Sequence, residues 1–258
     1  MDPQWNEILD KLPYGIETSC SYFSERQSRM QYFLGDEDIP PSLIEAALEK
    51  GFRRCGESWY RTKCKGCNHC LCYRLSTTTF KPSKSQRRVL RKNTDLRYEV
   101  KEALISDEKK ALYLRYQHSQ HFLKPFESET GEFNEEDALL TMTLQMYDNP
   151  RTTRELEVYL EDKLLGFGTI DVAETSISLV YFVFDPDFQK RSLGIYNILK
   201  SVEWAQEQGF QSVYLGYYIP EHPKMDYKVN FQPSEMFNSD NQKWTNELPQ
   251  LRNDESSN

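Results

Sequence analysis

The chain has 258 residues, of which 38% are hydrophobic and 13% aromatic, and carries a formal net charge of −8. This length and apolar content support a folded core of one or two domains and exclude a disordered polypeptide. No stretch of ~18 consecutive apolar residues is present, which excludes a membrane-spanning helix. The acidic start lacks the apolar segment of a secretory leader, so the cytosol is the expected compartment and the six cysteines are expected to be reduced.

Residues 1–35 are mixed and rich in aromatics, and residues 36–41 break the pattern with acids and Pro40-Pro41. Leu43, Ile44, Ala47 and Leu48 have helical spacing, with proline at the start and Gly51 just past the end. Trp59, Tyr60 and Arg61 read as a short strand that enters a cluster of cysteines. Residues 73–80 are strand-like, and the polar, basic stretch 81–88 reads as a loop. Ser106 is placed to cap a helix running to about residue 121, with Asp107 and Glu108 in its first turn. Residues 126–137 hold six acids and no base and read as a solvated, mobile loop.

From Arg154 the pattern alternates. Strands are expected at 154–160 and 164–172 around a turn at 161–163, then at 176–185. The loop 189–194 leads into a helix carrying Ile195, Ile198, Leu199, Val202 and Ala205, stopped by Gly209. Another strand follows at 212–219. The polar tail, residues 251–258, reads as disordered. The expected class is α/β (α+β), with residues 1–95 forming an N-terminal cysteine-containing region and residues 96–250 a C-terminal domain.

Three features carry chemistry. Residues 51–92 hold twelve Lys or Arg and one acid, Glu57, whereas the rest of the chain holds twenty against thirty-nine. Such a basic block attracts phosphate, so a nucleic acid is an expected partner; a solvated basic face is the plainer reading. The loop 189–194 places free backbone N–H groups at a helix N-terminus, where an anion or a developing oxyanion is held. Its spacing resembles the acyl-CoA loop of the GNAT acyltransferase fold, with one glycine. Finally, Cys64, Cys67, Cys70 and Cys72 lie within nine residues. Zinc or an iron–sulfur cluster suits such soft ligands, with His69 as a further donor, and reduced thiols packed as small hydrophobes are the alternative. The four histidines fit no Ser-His-Asp order; His118 and His121, one helical turn apart, read as solvated or core-edge residues.

Taken together, several blocks resemble the arginyl-tRNA–protein transferase family, and more closely its short bacterial branch, the aspartate/glutamate leucyltransferases. They are Cys20-Ser21-Tyr22, Gly51-Phe52-Arg53-Arg54, Tyr60-Arg61 followed by Cys64-Lys65-Gly66-Cys67, residues 80–88, residues 181–186, Ser192-Leu193-Gly194, residues 215–219, Pro223-Lys224-Met225 and Tyr227-Lys228. They run in family order from about residue 14 to 236.

The resemblance implies a C-terminal GNAT-like acyltransferase domain. It implies transfer of an amino acid, leucine on the shorter-branch pattern, from aminoacyl-tRNA to the N-terminal Asp or Glu of acceptor proteins, creating a degradation signal of the N-degron pathway. Arginine is the alternative donor, and an acyl-CoA-dependent N-acyltransferase the alternative enzyme. The enzyme is expected to act as a monomer away from membranes. Asp185 is expected to orient or deprotonate the acceptor amine, with Tyr217 and Lys224 also catalytic. Arg53, Arg54, Arg61, Lys84, Gln86, Arg87 and Arg88 are expected to divide between tRNA phosphates and the acceptor carboxylate. Ser192, Gly194, Tyr218, Tyr227 and Lys228 complete the expected binding set. No cofactor is required for transfer, while the family implies a zinc or iron–sulfur site, here on Cys20, Cys64, Cys67 and Cys70. Cys20 and Cys67 match one member of each of the family's cysteine pairs; Phe23 and Asn68 stand at the other two positions.

Overall fold

The computed structural model describes residues 3–119 and 133–252. Its strands are β1 (Thr18–Ser19), β2 (Gln27–Ser28), β3 (Met30–Leu34), β4 (Arg53–Cys55), β5 (Ser58–Thr62), β6 (Leu71–Ser76), β7 (Leu96–Glu102), β8 (Arg154–Leu160), β9 (Lys163–Val172), β10 (Ser176–Phe184), β11 (Ser212–Tyr218), β12 (Ser234–Asn238) and β13 (Lys243–Thr245). Its α-helices are α1 (Pro3–Asp10), α2 (Pro41–Glu49), α3 (Lys84–Lys92), α4 (Asp107–Ser119), α5 (Glu135–Met142) and α6 (Leu193–Glu207). The expected tail and most of the expected acidic loop lie outside the described residues.

The architecture is mixed α/β. An eight-stranded sheet runs in the order β13-β12-β6-β11-β10-β9-β8-β7, beside a three-stranded sheet β3-β5-β4. The large sheet joins the two regions expected from the sequence, because β6, which precedes residue 95, is paired with β11 and β12. The small sheet packs with α1 and α2 through Leu9, Ile44, Leu48, Phe52 and Trp59, all 1% exposed or less. Burying each such side chain contributes about 1.5–3 kcal/mol.

Strands β8, β9 and β10 form an antiparallel meander. Helix α6 then crosses over to β11, which is parallel to β10. This is the strand and helix order expected of a GNAT-like unit. The apolar stripe of α6, with Ile198, Leu199, Val202 and Ala205, buries against Leu75, Ile177 and Val213. Helices α4 and α5 pack through Leu112 and Met142 on Leu164, Phe167 and Val183.

Two segments depart from expectation. The basic stretch expected as loop begins helix α3 at Lys84. Ser83 caps it, accepting from the Gln86 N–H while the Gln86 side chain accepts from the Ser83 N–H. That reciprocal cap satisfies two backbone donors and outweighs the turn-like composition of Pro82, Ser83 and Ser85. Similarly, Glu135, Glu136 and Asp137 form the first turn of α5, capped by Asn134, where their charge complements the helix dipole.

Candidate active site

Strands β10 and β11 pair only from Ser176–Ser212 to Ser178–Tyr214. Beyond that point both are irregular: β10 shifts register between Leu179 and Tyr181, and β11 between Tyr214 and Gly216. The parallel pair therefore opens into a gap. Arg53 fills its root. Its guanidinium donates to the Ser178 hydroxyl (2.7 Å) and the Leu179 carbonyl (2.6 Å) of β10. It also lies flat against Gly216, where an added Cβ would sit 3.1 Å from Nη2. Gly216 has φ +85°, a conformation that excludes most side chains.

A cavity of about 760 Å³ occupies the opened gap. Its walls are largely apolar: Leu156 from β8, Ile170 from β9, Leu179 and Phe182 from β10, Ile195 and Ile198 from α6, and Leu215 from β11. Among the described residues around it there is no Asp or Glu; the basic side chains there are Lys224, Lys228 and His222. Two buried oxygens in its wall, Thr169 Oγ1 and Asn197 Oδ1, have no hydrogen-bond partner. An orphaned buried oxygen costs about 1–3 kcal/mol, so this wall carries an unmet hydrogen-bonding demand.

The N-terminus of α6 forms one lip of the cavity. Ser192 holds the left-handed conformation, φ 55°, immediately before the helix. Residues Ser192, Leu193, Gly194 and Ile195 line the cavity. Backbone N–H groups in a first helical turn have no intrahelical acceptor, so here they face a ligand with the positive end of the dipole behind them. The other lip is a 3-10 turn, Asp226–Asn230, carrying Tyr227 and the 6% exposed Lys228.

Helix α3 spans the two lips. At its start Gln86 donates to the Asn230 carbonyl (3.0 Å); just past its end Asn93 donates to the Arg191 carbonyl (2.9 Å). Its nine residues extend about 13 Å along the mouth, with Lys84, Arg87, Arg88, Arg91 and Lys92 exposed.

The cavity thus gathers Ser192, Gly194, Lys224, Tyr227 and Lys228 from the expected set, while Lys84, Arg87 and Arg88 stand beside it. The remaining candidates are committed elsewhere. Asp185 is 0% exposed and outside the cavity wall. Its carboxylate caps the following 3-10 turn through the Asp187 N–H and meets Arg115 (3.1 Å) and Lys163 (2.9 Å). Tyr217 packs with Cys72, Ile219 and Phe237, and its hydroxyl accepts from the Thr62 N–H. Burial raises its pKa well above the usual tyrosine value. Tyr218 packs on Tyr73 in the main core. Arg54 forms a fully buried ion pair with Asp171 (2.8 Å). Arg61 donates to Gln31 and the Lys50 carbonyl over the Phe52 ring. Gln86 is the cap and strut described above. These placements share one cause: each side chain is buried, and most of the partners are distant in sequence.

Cys64, Cys67 and Cys70 border a smaller cavity of about 150 Å³. There the Arg26 guanidinium lies 3.5 Å from Cys67 Sγ and 3.4 Å from His69 Nδ1, and burial pushes the Cys64 and Cys70 thiols up. Among the described residues, no three Cys, His, Asp or Glu side chains converge to hold a metal ion. A guanidinium at the Cys67–His69 pair is the reverse of what a cation site needs, so this donor set does not fit the zinc or iron–sulfur centre expected on Cys20, Cys64, Cys67 and Cys70.

Residues 18–88 match the profile of the arginine-tRNA-protein transferase N terminus, and residues 108–238 that of its C terminus. The chain belongs to this family. It is 38% identical over 229 residues to an aspartate/glutamate leucyltransferase of Leptospira interrogans, covering 89% of this chain and 87% of that protein. It is 36% identical to one of Saccharophagus degradans, covering 84% and 89%. It is therefore an aminoacyltransferase of the tRNA-dependent type. Among solved structures, the C-terminal domain of a lysylphosphatidylglycerol synthetase from Agrobacterium fabrum superposes with a TM-score of 0.47 at 16% identity, over 83% of this chain and 69% of that one. Thr169 and Asn197 escaped sequence reading, and His222 was read as a solvated or core-edge histidine. Asn197 sits inside the apolar stripe of α6, which it and Ser201 interrupt as buried polar residues.

Proposed function

We propose that this protein transfers leucine from leucyl-tRNA to the N-terminal Asp or Glu of acceptor proteins and so creates a degradation signal of the N-degron pathway. The cavity carries this reading. Its wall is apolar and, among the described residues, free of carboxylates. Burying a leucyl side chain there is favourable by about 1.5–3 kcal/mol. An arginyl side chain would bring a guanidinium into a wall that, among the described residues, offers it no carboxylate, at a cost of several kcal/mol. The relatives named as leucyltransferases support the same donor.

In this reading the exposed cations of α3, Lys84, Arg87 and Arg88, hold the tRNA phosphates beside the mouth. The first-turn N–H groups of α6 face the ester carbonyl and stabilise its tetrahedral oxyanion. Thr169 and Asn197 accept from the leucyl amine. Lys224 and His222, at the rim, meet the acceptor's carboxylate, a role expected, from the sequence, of Arg53, Arg61, Arg87 or Arg88. Residues 96–250 supply most of the cavity and residues 1–95 the tRNA-facing helix. Transfer requires no cofactor, because the aminoacyl ester is already activated toward an amine. Among the described residues no helix is long and apolar enough to cross a membrane; the reading places the enzyme in the cytoplasm, acting as a monomer.

The test is transfer of labelled Leu and Arg, each on its tRNA, to peptides beginning with Asp, Glu, Arg or Lys. Leucine on the Asp and Glu peptides alone is expected. Arginine as the better donor, or transfer from an acyl-CoA instead, would overturn the assignment.

A further inference from the structure

Two lysines are buried to the same degree in this fold, and their surroundings differ. Lys109, 6% exposed, is neutralised by Glu155 (2.5 Å) and Glu157 (2.8 Å). Lys228, also 6% exposed, has no carboxylate within ion-pair distance among the described residues. Its Nζ donates to the Tyr217 carbonyl (2.5 Å) and lies 3.7 Å from the Met225 sulfur. The groups facing it are the Arg53 guanidinium from β4, the Cys72 thiol from β6, Tyr217 from β11 and Tyr227 beside it. Burial, with Arg53 adding like-charge repulsion, brings the Lys228 ammonium down to about 7. Burial also pushes the Cys72 thiol up to about 12, which leaves it uncharged and unable to offset Arg53.

Lys228 lines the cavity, on the lip facing that formed by α6. The threonine, asparagine and tyrosine side chains of that wall are poor proton acceptors. Thr169 and Asn197 are neutral, and burial raises the Tyr22, Tyr116 and Tyr227 hydroxyls, keeping them protonated. Aminolysis of an ester makes a definite demand at this point. The neutral α-amine attacks the carbonyl carbon, the new nitrogen–carbon bond leaves a cationic nitrogen, and that nitrogen must lose a proton before the carbon–oxygen bond to the ribose breaks.

We propose that Lys228 is the catalytic base of this transfer, taking the proton from the attacking nitrogen and returning it to the departing ribose oxygen. One proton leaves nitrogen and one reaches oxygen, so the amine nitrogen, Lys228 Nζ and the ribose hydroxyl balance without a further reactant. The Tyr217 carbonyl holds Nζ by one of its hydrogens, beside the cavity that Lys228 lines. The assignment rests on the aminoacyl-transfer reading of the cavity.

The experiment has a wild-type arm and a variant arm. Carbon-13 labelling of lysine side chains in the whole protein, with the Lys228 signal assigned by its loss in Lys228→Arg, should show one lysine titrating near 7. In single-turnover leucyl transfer to an Asp-starting peptide, Lys228→Arg and Lys228→Ala should each lose roughly 10²–10⁴-fold in rate, the range typical for a general base. Leucyl-tRNA affinity should be retained, and ethylamine should restore part of the Lys228→Ala rate. A Lys228 signal titrating as an ordinary lysine, at about 10.4, overturns the proposal. So does a Lys228→Arg rate like that of wild type, since arginine keeps the charge and cannot accept the proton. Should both variants fail to fold, the wild-type spectrum decides without assignment: no lysine signal titrating near 7 overturns the proposal. A wild-type protein that transfers no leucine would instead refute the function proposed above.

Discussion

Replacing Arg54 by methionine separates a structural arginine from an RNA-binding one. Arg54 lies in the basic block, yet its side chain and that of Asp171 are both 0% exposed. Its Nε reaches both carboxylate oxygens, at 2.9 and 2.8 Å, and Nη1 donates to the Gly56 carbonyl at 3.0 Å. Methionine preserves most of the volume but leaves Asp171 buried with the Thr153 hydroxyl (2.8 Å) as its remaining side-chain donor. Breaking a buried pair from one side costs about 3–5 kcal/mol. For a chain of this size each kcal/mol lowers the melting temperature by roughly 2–4 °C, so Arg54→Met should melt roughly 6–20 °C below wild type. Arg54→Met with Asp171→Leu should recover most of that loss, because no charge is then stranded. The measurement is thermal unfolding of the four members of the cycle, with tRNA affinity followed against salt at a temperature where all are folded. Arg54→Met melting with wild type while flattening the salt dependence of tRNA binding would refute the assignment.

Changing Lys84, Arg87 and Arg88 together to glutamine should leave the melting temperature nearly unchanged, since all three side chains are exposed. It should reduce the slope of log affinity against log salt by about 2–3, and equal slopes would remove α3 from the RNA interface. Gly216→Ala should cost about 1–2 kcal/mol from its φ of +85° alone. Contact with the Arg53 guanidinium adds to this, and an unchanged denaturation midpoint would contradict the packing described. Lys228 sets a pH signature. Its folded value of about 7 lies below the ordinary 10.5, so between these values the unfolded chain binds more protons. Stability from this group therefore rises with pH across that window, by up to about 1.4 kcal/mol per unit, and its penalty is complete below pH 7. Lys228→Met should be stabilised relative to wild type most at pH 7, with the difference closing toward pH 10.5; parallel stability curves would deny the shift.

The meander, α6 and β11 were legible because period-2 and period-3.6 patterns are local, and a single helix stripe sufficed to identify the lip of the cavity. The turn at Ser192 and Gly194 that opens α6 was readable for the same reason. The arginines were not. Arg53, Arg54 and Arg61 share the composition of a solvated basic patch, and only partners up to 126 residues away, such as the Leu179 carbonyl, reveal them as interior struts. Tyr217 and Tyr218 point into packing that a strand pattern does not distinguish from a ligand wall. Asp185 lies next to a matching motif, yet two cations and a backbone N–H already occupy its carboxylate. Lys228 was readable as part of a family block, but its isolation from acids is a property of three strands meeting one turn.

Arg53 has a consequence for how such a protein can be inherited. The gap that becomes the cavity is floored by a side chain from β4, while β6 sits inside the same sheet as β11. The two halves that the family profiles separate are thus not interchangeable parts. Recombination between diverged relatives at the junction of those halves would pair one protein's arginine with another's bulge, and the mismatch would fall at the root of the cavity. Substitutions at the rim, on α3 and around Lys224, would leave the floor beneath it undisturbed.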